Sequence, residues 1–331
     1  MERRKIYIDI LRIAACFLVI ANHTNYVYNE AAVHFSQVPL YESVLATTYL
    51  ALCKCAVTIF LMISGCLLLG RQDDYVTALK RVLRIAIVIV VFSVPYYIVG
   101  DFEHSFYDFY LVVGRANVTT AYWYLYLYAG ILVMMPILQR MVKGFAQKDY
   151  LYFFVFSIFL CTFSFFTEFN MNFKLPLFSA FIGIVVLGYY LDQFVVFPRK
   201  WFGVLMISVE LVFVFLILVT LYKMKAGADY AATLLEYDNI FYIFVSAGIF
   251  FLVKGYCERT FSERMSTVLR RIALDTFGIY LCADMFIHYL KPYFEVYQHM
   301  IAVIVLDILV FLGGLAITEL LRRIPLVRWL L

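Results

Sequence analysis

Apolar runs of about twenty residues recur along the whole chain, separated by short polar segments, and a chain built this way has few folds open to it. A helix rising 1.5 Å per residue needs roughly 20 apolar residues to cross a hydrocarbon layer about 30 Å thick. Ten segments meet that need: 6–28, 45–69, 82–100, 121–139, 149–167, 175–193, 201–222, 238–254, 272–290 and 299–321. A membrane β-barrel is excluded, because the runs are continuously apolar and do not alternate with a period of two. Composition agrees: 65% of the 331 residues are hydrophobic and 15% are charged, with a mean hydropathy of +0.88, which leaves too little polar surface for a water-soluble protein. The expectation is an all-α, polytopic integral membrane protein of about ten transmembrane helices. It forms a single membrane-embedded domain over residues 1–331, since no linker rich in Gly, Ser or Pro divides the chain and no loop is long enough to fold alone. The first segment is read as retained and not as a secretory signal, because Arg12 interrupts its apolar stretch.

Lysine and arginine positions set the orientation, since cytoplasmic loops carry the excess. Taking the N-terminus, alternate loops and the C-terminus as one side places 20 of the 27 Lys and Arg residues there. The other side holds Arg115, Lys174, Lys223, Lys225 and Lys291, while Arg12 and Lys54 fall within spans. Both termini are therefore expected in the cytoplasm. With its positive charge placed for topology and contact with membrane lipid, a net +4 gives no reason to expect a nucleic-acid partner. Seven cysteines, an odd number without ligand spacing, argue against a disulfide framework and against a zinc or other metal site.

Ionisable groups inside spans carry the functional signal, because Arg or Asp at mid-helix costs about 2.5–3.5 kcal/mol on insertion scales. Asp9, Arg12 and His23 lie in the first span. Arg12 and His23 are eleven residues apart, hence about three turns and roughly 16 Å along one helix face. Asp9, three residues before Arg12, is placed to pair with it. Two readings stay open: a functional stripe, or headgroup anchors at one interface and a satisfied polar residue near the other.

Other candidates are similarly two-sided. Lys80, Arg81 and Arg84 form a basic cluster entering the third span, with Arg81 and Arg84 on one face. Two guanidinium forks suit a phosphate-bearing ligand, although any inward helix end carries such residues for topology. The Ser64-Gly65 pair is explained by close helix packing. Lys54, Glu210, Asp284 and Asp307 lie in four different spans and either converge on a polar interior or act independently. Trp123 and Tyr124 suit an interfacial aromatic belt, with stacking against a glycan as the functional reading.

Taken together in order, the segments resemble the acyltransferase-3 family. The resemblance covers essentially the whole chain and rests on YIDILRIAA with the arginine-x10-histidine spacing of Arg12 and His23, IFLMISGCLLL, KRVLR, YWYLYLYAGILVMMPIL, FGIYL at 277–281 and the terminal RRIPLVRWL. The branch it is most similar to contains stand-alone membrane O-acetyltransferases for extracytoplasmic glycans, such as the enzyme acting on enterobacterial common antigen. Two departures stand out. Many members carry a histidine two residues after the GIYL element, where this chain has Ala283 followed by Asp284, and some carry an acidic residue where Thr58 stands. If that histidine positions substrate in its relatives, the role is vacant here or passes to Asp284 or His288.

The resemblance implies an acetyl-CoA-dependent O-acyltransferase of the bacterial cytoplasmic (inner) membrane. Its donor would be cytosolic acetyl-CoA or a related acyl-CoA, and its acceptor a hydroxyl of a cell-surface or lipid-linked glycan. Arg81 and Arg84, supported by Lys80, would then hold the donor phosphates. Arg12, paired with Asp9, would orient the donor or stabilise charge, and His23 would serve as general base. Ser64, Trp123, Tyr124, Glu210 and Asp284 are the candidate substrate-binding residues. The rival reading is a transporter or flippase for a glycan or amino acid whose path uses intramembrane acids such as Glu210 and Asp307.

Overall fold

The computed structural model describes residues 5–24, 39–167, 180–196, 198–226, 237, 239–257, 261–294 and 299–331. Among them are twelve α-helices and no strand. In chain order they are α1 (Ile6–Thr24), α2 (Leu40–Leu68), α3 (Tyr75–Val99), α4 (Phe106–Gly114), α5 (Trp123–Gly144), α6 (Gln147–Thr167), α7 (Ala180–Gln193), α8 (Phe202–Ala226), α9 (Ile240–Tyr256), α10 (Glu263–Phe294), α11 (Met300–Leu321) and α12 (Pro325–Leu330). Two short 3-10 turns, Thr120–Tyr122 and Arg199–Trp201, lead into α5 and α8. Six helices among the described residues are long and apolar enough to cross a membrane: α1, α2, α3, α5, α8 and α11. α7 and α9 are shorter apolar helices, while α6 and α10 coincide with the remaining two expected segments. Lys174, Arg259 and the N-terminal Arg3 and Arg4 of the charge argument lie outside the described residues.

Two helices organise the bundle. α1 packs against α2, α9, α10 and α11, and α2 packs in addition against α7 and α8. In α2, 72% of the apolar window is buried inside the protein, against 17% in α8, so α2 is the central pillar and α8 the periphery. The α2–α7 contact depends on missing side chains. A Cβ added at Gly65 would lie 1.9 Å from the Val185 carbonyl oxygen, and one at Gly188 would lie 2.2 Å from that of Met62. The packing role read for the Ser64-Gly65 pair is thus a near-contact of two backbones.

Polar ties fix α1 at both ends. At its start, Lys5 Nζ reaches Asp192 Oδ2 at 2.6 Å, and the Tyr7 hydroxyl donates to the same carboxylate. At its end, Thr24 donates to Asp307, which also accepts from the Tyr49 hydroxyl at 2.5 Å. Asp307 is 0% exposed, and these donors satisfy it inside the apolar bundle. The helix that carries the charged stripe is held in register by groups far away in sequence.

Candidate active site

One face of α1 borders a cavity of about 530 Å³ between α1, α2, α5, α10 and the first turns of α3. Arg12 and His23 both line it, at opposite ends of the same face, as their eleven-residue spacing requires. At the Arg12 end the wall also carries Arg71, Arg81 and Arg84. Tyr128 lies within electrostatic reach of Arg12, Arg81 and Arg84, which places three guanidinium charges around one phenol.

The arginines at this end are oriented before any ligand arrives. Arg81 makes a bidentate pair with Asp73, with one branch at 3.0 Å. Asp73 in turn accepts from Gln139 Nε2 at 2.7 Å, and its own backbone N–H donates to Gln139 Oε1 at 2.9 Å. Burial works against the charge of Asp73, but hydrogen bonds from Arg81 and Gln139 outweigh it and hold this carboxyl below its ordinary value. The clamp is therefore intact at neutral pH and loosens only as pH falls through that lowered value. Arg84 donates through Nε and one terminal nitrogen to the Leu330 carbonyl at 3.2 and 3.0 Å, so α12 packs over the same end of the cavity. A guanidinium has five N–H donors, and both residues retain donors for a ligand.

Between the two ends, Ser64 of α2 and Tyr124 of α5 line the cavity on the side of Arg12, and Trp123 and Tyr280 line it toward His23. The Ser64 hydroxyl donates to the Phe60 carbonyl at 2.9 Å, a bond within its own helix. Trp123 stacks on Tyr237 with ring centroids 5.1 Å apart and planes at 26°. The Tyr237 hydroxyl accepts from Asn22 Nδ2 at 3.1 Å.

A second cavity, of about 620 Å³, begins where the first one ends. Asn22, His23, Trp123 and Tyr237 line both. Beyond them the second wall carries Lys54, Thr119, Asp284, His288 and Lys291. His23 Nδ1 lies 3.8 Å from Asp284 Oδ1, an ion-pair approach and longer than a hydrogen bond. The Thr119 hydroxyl donates to the other carboxylate oxygen of Asp284. Imidazole and carboxylate are thus neighbours although 261 positions separate them.

The structure gathers most of the residues singled out from sequence. Arg12, His23, Ser64, Arg81, Arg84, Trp123 and Tyr124 share the first cavity, and Asp284 meets His23 in the second. Four candidates stand apart from both walls, one of them Asp307, held between Thr24 and Tyr49. Asp9 is buried, at 4% exposure, but does not line either cavity. Lys80 is exposed, one position from Arg81 but on another helix face. Glu210 is exposed on the outside of α8. Sequence reasoning did not single out Arg71, Asn22, Tyr237 or Thr119 as site residues, and counted Lys291 only for orientation. All lie in loops or at helix ends, where no periodicity marks a buried face.

A family model for an acyltransferase domain, acyltransferase-3, matches residues 5–323. The chain belongs to the acyltransferase-3 family. No curated protein and no solved structure matches it. Residues from five of the segments that carried the resemblance line one space: Arg12 and His23, Ser64, Arg81 and Arg84, Trp123 and Tyr124, and Phe277 and Tyr280. The acids that a transport path would use fall elsewhere: Glu210 faces outward, and Asp307 is sealed between Thr24 and Tyr49.

Proposed function

We propose that this chain moves an acyl group, acetyl in the first instance, from a cytosolic acyl-CoA to a hydroxyl of a cell-surface or lipid-linked glycan. It would do so in the inner membrane of a bacterium, crossing it ten times with both termini in the cytoplasm, as in the stand-alone O-acetyltransferase branch. The observation that carries the reading is the meeting of two cavities at His23, one lined by arginines and the other open beyond the imidazole. A two-substrate transfer needs such an arrangement, because donor and acceptor must arrive separately and meet at one base.

The arginine-lined end suits CoA. Arg84, Arg71 and the Asp73-oriented Arg81 offer N–H donors to its phosphates, and bidentate guanidinium contacts to phosphate are among the stronger hydrogen bonds. The pantetheine arm then lies along α1 past Arg12, which holds the donor along its length and brings the thioester to His23. Three turns of helix separate these two side chains, which suits a long flexible arm. Lys80, exposed nearby, contributes charge at the approach.

The reaction at His23 balances without a metal or redox partner. His23 takes the proton from an acceptor hydroxyl as the oxygen attacks the thioester carbonyl. The tetrahedral intermediate collapses with loss of the CoA thiolate, and the imidazolium returns the proton to that sulfur. Asp284 sits on the Nδ1 side of the ring, where it orients the imidazole and stabilises its charged form, and Thr119 holds Asp284 in turn. Nε2, on the opposite edge, is left to meet the hydroxyl. Trp123, Tyr124 and Tyr237 offer ring faces for sugar packing, and Ser64 lines the donor side. The mass of surface glycans from cells with and without this chain tests the reading. An added acetyl group per glycan repeat, present only with the chain, is expected; identical masses would overturn it.

A further inference from the structure

Asp284 owes its place beside His23 to one turn of α10, and a side chain from another helix enters that turn. In an α-helix the Met285 N–H is directed at the Leu281 carbonyl, with residues 282–284 lying between them. The Tyr96 hydroxyl, reaching across from α3, bonds to both groups: it donates to the Leu281 carbonyl at 2.8 Å and accepts from the Met285 N–H at 3.2 Å. The same carbonyl accepts from the Tyr122 hydroxyl at 3.0 Å, so two phenols address an oxygen that has two lone pairs. The rings of Tyr96 and Tyr122 meet edge to face, with centroids 5.4 Å apart. Tyr280, one residue earlier on α10, donates to the Ala121 carbonyl at 2.5 Å, and the Thr119 hydroxyl donates to Asp284 itself. These side chains stitch residues 280–285 of α10 to α3 and to the 3-10 turn before α5.

The fold itself does not require the Tyr96 hydroxyl. Without it, the Leu281 carbonyl and the Met285 N–H can bond to each other as in any helix, so neither is left unsatisfied. What the hydroxyl adds is a tie from α3 to the α10 backbone on both sides of Asp284. Tyr96 also lines the same cavity as His23, Thr119 and Asp284, close enough to Asp284 to feel its charge.

We infer that Tyr96 is a positioning residue for the transfer: its hydroxyl fixes the α10 turn that carries Asp284 and so keeps the carboxylate on the Nδ1 side of His23. The inference rests on the acyl-transfer reading for its effect on rate, whereas the geometry that it fixes can be read without any substrate. Thr119 restrains the carboxylate group, and Tyr96 restrains the backbone from which that side chain extends. Both restraints matter because Nδ1 of His23 and Oδ1 of Asp284 stand 3.8 Å apart, too far for a direct hydrogen bond to hold the pair together. A misplacement of about 1 Å can cost roughly 10²-fold in rate.

Tyr96→Phe tests this in two measurements on the full chain in nanodiscs, with Tyr97→Phe as the control. Tyr97 loses its hydroxyl one position away, where it donates to the Ser105 carbonyl and to Asp108 of α4. The first measurement is the ring-nitrogen NMR signal of His23 in histidine-labelled protein, assigned by its loss in His23→Gln. Asp284→Asn is expected to move that signal, Tyr96→Phe to move it in the same direction, and Tyr97→Phe to leave it in place. The second is transfer from acetyl-CoA to glycan. Tyr96→Phe is expected to lower kcat about tenfold with the KM for donor within about twofold, and to cost less than about twofold when added to Asp284→Asn. A His23 signal unmoved in Tyr96→Phe, costs that multiply in the double variant, or an equal loss in Tyr97→Phe would overturn the inference. A changed elution profile for Tyr96→Phe would assign the hydroxyl to the fold and overturn it as well. Absence of transfer by the unaltered chain would remove the acyl-transfer reading and leave the ring signal to decide whether Tyr96 sets the geometry.

Discussion

α1 and α8 are both apolar helices with an ionisable residue inside them, and the protein treats them in opposite ways. α1 is the less apolar, with a mean hydropathy of 1.6 over its best window against 2.9 for α8, yet 50% of that window is buried compared with 17% in α8. Arg12 and His23 of α1 face a cavity, whereas Glu210 of α8 faces outward. Buried helices tolerate charge when neighbours supply partners and space, and peripheral helices compensate with greater apolarity elsewhere. An intramembrane charge is therefore informative about function only together with the place of its helix in the bundle.

Substitutions along the two helices and around their neighbours test this contrast. His23→Ala in α1 is expected to lower transfer from acetyl-CoA to glycan by at least about 10²-fold at equal protein level, as loss of a general base does; quantifying glycan acetylation in membranes checks it. Asp284→Asn removes the charge facing Nδ1 and is expected to lower kcat about 30-fold with little change in the KM for donor. Recovery of the rate in Asp284→Glu, which returns a carboxylate to the Nδ1 side, would distinguish orientation of the base from a packing defect. Arg84→Ala acts at the other end of the passage, so it is expected to raise the KM for acetyl-CoA about tenfold while leaving kcat near wild type. Glu210→Gln on α8 is expected to change neither constant by more than about twofold. Loss of activity in that variant with normal protein level would erase the contrast between the helices.

The fold was legible in sequence wherever one physical quantity decided the matter. Hydropathy and length located the helices: each of the ten expected segments overlaps one over its described residues, with 25–28, 175–179 and 238 outside them, and six of those helices are long and apolar enough to cross a membrane. Helix geometry placed Arg12 and His23 on one face of α1, and the three-residue spacing of Arg81 and Arg84 brought both to one wall. What remained hidden depended on tertiary contact. Nothing local to Asp284 indicates that α10 brings it to His23, and nothing local to Tyr237 indicates that its ring joins Trp123 to Lys54. Glu210 was ambiguous for a different reason: α8 is almost uniformly apolar, so its sequence has no polar face from which the direction of one acid could be read. Asp9 and Lys80 were drawn in by their neighbours in sequence, and the helix rotation separates them from the cavity wall.

In the proposed reaction the donor enters from the cytosolic side and meets the acceptor at His23. Sealed membrane vesicles of both orientations, given radiolabelled acetyl-CoA only in the outer solution, test this directly. Label is expected on glycan in inside-out vesicles, where the cytosolic face is exposed, and not in right-side-out vesicles or in either kind carrying His23→Ala. Equal labelling in both orientations, or full labelling by the His23→Ala protein, would contradict it.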